Sequence, residues 1–102
     1  MNIQTTVGYA TKSATISNTA KAISHADFAW AASDLAAADI AYITARTAGV
    51  MLLWTGVVPT ATLGFMLAQN ANIEVVGNAN IQALQFIREA GSDATVIVSL
   101  EQ

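Results

Sequence analysis

The chain has 102 residues, 54% hydrophobic and only 11% charged, with a formal net charge of −3. That length fits one small domain with a single core. The four basic residues, Lys12, Lys21, Arg46 and Arg88, are too scattered to form the cationic surface a phosphate backbone needs, so nucleic acid is not expected as a partner, and the absence of cysteine removes disulfides and thiolate metal sites.

Residues 1–13 are polar with little periodicity and read as an N-terminal arm or an edge strand, with residues 14–102 as a single β-domain. The segment lacks a basic start and an apolar stretch, so it is not expected to be a signal peptide. In "ATISNTAKAIS" the apolar positions Ile16, Ala20, Ala22 and Ile23 alternate imperfectly, as in a strand. In "SHADFAWAASDLAAADIAYITART" the alanines favour helix, and Ser24 with Asp27 resembles a weak capping box. A loop or one short helix near residues 25–36 is expected there. From Asp39 the period becomes two, with Ile40, Tyr42 and Thr44 against Ala41, Ile43 and Ala45, so a strand runs to Thr47 and Thr47-Ala48-Gly49 turns the chain.

No charge occurs from Thr47 to Ile73. Gly56 and Pro59 in the middle of this run, the threonines that dilute it and the lack of flanking Lys or Arg clusters argue against a membrane span. Two core strands are expected instead, "GVMLLW" and "ATLGFML", joined through "TGVVPT", with Gly64 as a kink or bulge. Asn70-Ala71-Asn72-Ile73 recurs as Asn78-Ala79-Asn80-Ile81. Each reads as a turn before a strand, "IEVV" and then "IQALQFIRE", although Ile81, Leu84 and Ile87 also fit a short helix. Gly91-Ser92-Asp93 is a turn. In "ATVIVSLEQ", Val96, Val98 and Leu100 alternate with Thr95, Ile97 and Ser99.

These elements predict an all-β domain, a compact β-sandwich or jelly-roll-like barrel of short antiparallel strands. Trp54, Phe65, Val75, Leu84, Phe86, Val96, Val98 and Leu100 are the expected core or subunit-interface residues, and Gly56, Pro59, Gly64, Gly77 and Gly91 the expected structural turns. Ordinary domains carry roughly 25% charged residues, and the mean hydropathy here is +0.48. So few charges leave two physical outlets, a membrane or burial against other subunits. The uncharged polar remainder of Ser, Thr, Asn and Gln suits the second, because it is cheaper to desolvate than charge.

Candidate chemistry is sparse. Ser24, His25 and Asp27 are letters of a hydrolytic triad, but near neighbours in sequence do not present side chains to one another in that geometry, and a polar turn is the expected role. Asp27, Asp34 and Asp39 are spaced unlike a calcium loop, Glu74 and Glu89 are an unremarkable carboxylate pair, and no glycine-rich phosphate loop is present. No catalytic, cofactor-binding or metal residue is assigned, no cofactor is expected and the chain is not expected to be an enzyme. An alternative with Trp30, Trp54 or Tyr42 as a sugar-binding platform stays open.

The stretch "LLWTGVVPTATLGFMLAQNANIEVVGNANIQALQFIREAGSDATVIVSLEQ" resembles small virion proteins of tailed bacteriophages. The resemblance rests on Trp54 and Gly56, on Pro59, Thr60, Ala61 and Gly64, on Ile73 and Gly77, on Asn80, Ile81, Phe86, Ile87 and Arg88, and on Ala94, Thr95, Val96, Val98 and Leu100. "TAKAIS" and "AYITARTAG" fit more loosely. It implies a capsid decoration, or cement, protein: a trimer on the capsid surface, with the major capsid protein as partner and the host cytoplasm as the place of assembly. A tail, connector or fibre-base station is the alternative within the virion, and a membrane protein such as a holin the alternative outside it.

Overall fold

The computed structural model describes residues 8–102. Eight strands form two antiparallel four-stranded sheets: β1 (Gly8–Ile16), β2 (Lys21–Ala22), β3 (Ile40–Arg46), β4 (Val50–Leu53), β5 (Phe65–Leu67), β6 (Asn72–Val76), β7 (Gln85–Arg88) and β8 (Ala94–Glu101). The first sheet has the order β1-β8-β3-β6 and the second β2-β7-β4-β5. The fold is therefore all-β, and the two sheets pack as a sandwich. Of residues 1–13, expected as an arm or an edge strand, the first seven lie outside the described residues, whereas Gly8–Ser13 belong to the edge strand β1. The domain thus begins earlier than residue 14.

The strongest sequence signal becomes the centre of the first sheet. Strand β8 pairs with β1 on one side and β3 on the other. Its Val96, Val98 and Leu100 are fully buried, and Thr95, Ile97 and Ser99 are half-buried on the opposite face. Ile16 and Ile43 join them from the flanking strands, Val50, Leu52 and Phe86 meet them from the second sheet, and Leu84 joins from just before β7, all at zero exposure. Fully burying side chains of this size stabilises the fold by about 1.5–3 kcal/mol each. Phe28 closes the core against Phe86, with ring centroids 6.0 Å apart.

The segment expected to hold one short helix contains two separate turns, a 3-10 turn at Ala26–Phe28 and α1 at Asp34–Ala37. The cap of the 3-10 turn is His25 rather than Ser24: its Nδ1 accepts from the Asp27 amide at 3.0 Å. Side-chain bonds explain why this alanine-rich stretch stops short of a long helix. Asp34 Oδ2 accepts from the Ala31 amide at 2.8 Å, and the Trp30 indole donates to the Ile23 carbonyl at 3.0 Å. Local bonds of this kind compete with helix continuation.

The Asn-Ala-Asn-Ile echo folds in two ways. Asn70 takes a left-handed turn at φ 66 and leads into β6, whereas Asn78–Gln82 form a second helix, α2. The expected strand "IQALQFIRE" is thus divided into α2 and β7. The Asn78 amide nitrogen donates to the Leu35 and Ala38 carbonyls, both at 2.8 Å, tying α2 to the end of α1. Ile81 and Leu84, three residues apart, both reach the core at zero exposure. Asn70 makes no such tie to α1: its side chain accepts from Arg46.

Candidate interaction surface

The uncharged central run is core at its two ends and surface between them. Val50, Leu52 and Leu67 are buried, but Val57, Val58, Leu63, Phe65 and Met66 are each more than half exposed, from 51% to 56%. The strand expected at "ATLGFML" is therefore not wholly core, and of the two roles expected for Phe65, core or subunit interface, the first does not hold within the single chain. Strands β4 and β5 pair as a hairpin, Val50 with Leu67, Met51 with Met66 and Leu52 with Phe65. Directly paired residues share a face, so Phe65 lies on the inner-face register of Leu52. Strand β5 is the edge of its sheet, and the opposing sheet does not cover Phe65. Its ring rests against Trp54 instead, with centroids 5.6 Å apart and planes inclined at 43°. Trp54 is half-buried and packs on the core behind it.

Met66 faces outward beside Met51, which lies in turn beside Ile87, so an apolar row crosses the outer face of the second sheet. The hairpin loop folds toward this row. Gly64 sits so close to Met51 that a Cβ added there would lie 3.3 Å from the Met51 Cβ and 3.3 Å from the Leu52 carbonyl, and its φ of +150 adds strain for any other residue. Pro59 is buried under the loop and makes a trans peptide bond. Gly56 and Gly91 occupy exposed bends, and Gly77, at φ 101, precedes α2. Of the other expected core positions, Val75 is buried at 5%, whereas Leu84, Phe86, Val96, Val98 and Leu100 have no exposure.

The outer face of the first sheet has a different chemistry. Across it run Thr11, Ser99, Tyr42 and Glu74 in one row and Ser13, Ile97, Thr44 and Asn72 in the next. Thr11 Oγ1 and Ser99 Oγ lie 2.9 Å apart. Hydrogen bonding with Glu74 raises the Tyr42 pKa, followed by burial and the nearby Glu101 and Glu74 charges. Burial raises that of Tyr9, helped by Asp34 and Asp39. Asp27 is held below the usual carboxylate range by its hydrogen bond from Lys21, an ion pair of 2.5 Å.

The residues weighed for chemistry are engaged in local structure. His25 caps a turn, Asp27 pairs with Lys21 and Asp34 receives the Ala31 amide. No group of three His, Cys, Asp or Glu residues converges among the described residues, and no helix among them is long and apolar enough to cross a membrane. A shallow open cleft of about 280 Å³ lies between Ala61, Ile87 and the 88–91 turn, where Arg88 is already paired with Asp93 at 2.7 Å. Trp30, Trp54 and Tyr42 do not form one platform. Trp30 is stacked on Phe28, Trp54 lies at the end of β4, and Tyr42 lies on the outer face of the other sheet.

The sequence missed the exposure of Val57, Val58, Leu63 and Met66. The available signal was the alternation of this uncharged run with Thr55, Gly56, Pro59, Thr60, Thr62 and Gly64, which is too polar and too broken for continuous core strands. No known protein family matches the chain, and no curated protein or solved structure is significantly similar to it.

Proposed function

We propose that the protein is a non-enzymatic structural subunit of a tailed-phage virion, one that decorates and stabilises the capsid, as a trimer, against the major capsid protein. The observation that carries this reading is the charge-free apolar side formed by Val57, Val58, Leu63, Phe65 and Met66 on an otherwise well-filled sandwich. Together these side chains present on the order of 500 Å² of apolar surface, at the upper end of what a monomer ordinarily exposes. A surface of that kind is suited to permanent contact with protein. The resemblance of residues 52–102 to phage virion proteins supplies the setting, and the low charge content supplies the mechanism: attachment through buried area and shape fit, with few ion pairs.

Reconstitution tests the proposal. Capsids assembled without this chain and then supplied with it take it up in both low and moderate salt, and release their DNA at a higher temperature than bare capsids. Failure of uptake, or uptake abolished by moderate salt, contradicts the decoration role or its apolar mechanism respectively.

A further inference from the structure

The sandwich has two open sides, and they differ in how their edge strands are guarded. On one side lie the edges β1 and β2. Lys12 of β1 pairs in register with the fully buried Val98, and Lys21 of β2 with the fully buried Phe86. Both lysines therefore sit on the inward register of an edge strand. An inward-facing charge on an edge makes a second strand or sheet costly to add there. Strand β1 also carries a register shift between Gly8 and Ala10, a further obstacle to pairing. Half of the chain's four basic residues thus guard this one side.

On the other side, β5 has no charged residue, and neither has the hairpin loop before it. Phe65 stands on the inward register, more than half exposed with Trp54 beside it, Met66 faces outward, and Val57, Val58 and Leu63 of the loop before them are also exposed. Val76 of the other edge strand, β6, is also exposed, but it lies on the outer face of the first sheet, in the register of Tyr42 and Glu74. Among the described residues, the exposed large hydrophobics other than Tyr42 and Val76 belong to β5 or its loop.

We infer that the β5 edge and its 54–64 loop pack against further copies of this chain, the apolar sides of the copies converging on the symmetry axis of the oligomer. Two arguments favour a second copy over a different partner. The patch of roughly 500 Å² is most of the ~800 Å² per partner that a stable interface buries, and a rim of Thr55, Thr60, Thr62 and Gln69 is available to complete it. An uncharged patch is also self-compatible, since bringing two copies together opposes no like charges. The inference deepens the structural-subunit reading and rests on it for what the assembly is for.

Sedimentation equilibrium on the purified protein, from about 1 to about 100 µM, tests it. The wild type sediments as an oligomer. Met66→Lys and Val58→Asp, which place a charge on the exposed patch, weaken association by roughly a hundredfold or more. Thr15→Lys, on the guarded side, leaves it unchanged, and melting temperatures show whether each variant is folded. Hydrogen exchange on the wild type provides a check that needs no variant, because amides of residues 63–67 become protected as concentration rises. A monomeric wild type at the highest concentration overturns the inference, as does an oligomer whose protected amides lie on β1 and β2. A monomer that still binds capsids would defeat this inference while leaving the virion reading standing, and an oligomer that ignores capsids would do the reverse.

Discussion

Asn78 shows how one side chain organises the region before β3. Its amide donates to the carbonyls of Leu35 and Ala38, and Gln82 donates back to its Oδ1 at 2.6 Å, so donors and acceptor are all used. Asn78→Ala takes its side-chain donor from the Leu35 and Ala38 carbonyls, of which Leu35 keeps the Ala38 amide, and is expected to cost about 1–3 kcal/mol. Asn78→Asp is expected to cost at least as much, because it turns a carboxylate toward carbonyl oxygens. Urea denaturation of the three proteins checks the order. The tyrosines yield a pH prediction. Tyr9 and Tyr42, the only two in the chain, both have folded pKa values above the ordinary phenol value. The fold thus favours the neutral phenols. Their contribution to stability is complete below the unfolded value of about 10 and is lost as pH rises through the raised folded values. Phenolate absorbance is expected to develop later in folded than in denatured protein, and Tyr42→Phe is expected to flatten the alkaline loss of stability. Titration of both tyrosines at the ordinary value in the folded protein contradicts this.

At the level of elements, the strands with a strict period of two were readable from sequence. Strands β3 and β8 declare themselves because one face is buried and the other lined by Thr, Ser and Tyr. The helical turn α2 was not readable from its opening residues, since Asn70–Ile73 and Asn78–Ile81 are identical in sequence and differ in structure. Gly77, the reach of Asn78 to α1 and the joint burial of Ile81 and Leu84 decide the second case, and two of these are tertiary facts. Residues 8–13 were hard to assign for a similar reason. Strand β1 lies at an edge, its outward Thr11, Ser13 and Thr15 are polar, and its inward Lys12 interrupts the apolar alternation. The lysine that guards the edge is also what hides the strand. The exposed side was the least legible feature of all. Phe65 has the residue type and register of a core position, and only the limited reach of the opposing sheet leaves it uncovered.

For the whole molecule, a scarcity of charge is reconciled with a folded domain by gathering most of the exposed large apolar residues, among those described, on the β5 hairpin. Ser and Thr cover much of the outer face of the first sheet, lysines guard the β1–β2 side, and the hairpin side remains apolar. Such a molecule is suited to an assembly whose geometry keeps that side buried, and the proposed capsid shell is one. The most direct test of that role is the copy number of the chain in purified virions, measured by quantitative mass spectrometry against the major capsid protein. Decoration predicts copies on the order of the capsid subunits. A handful of copies would contradict it and move the protein to the tail, connector or fibre base, and complete absence from the particle would contradict the virion role altogether.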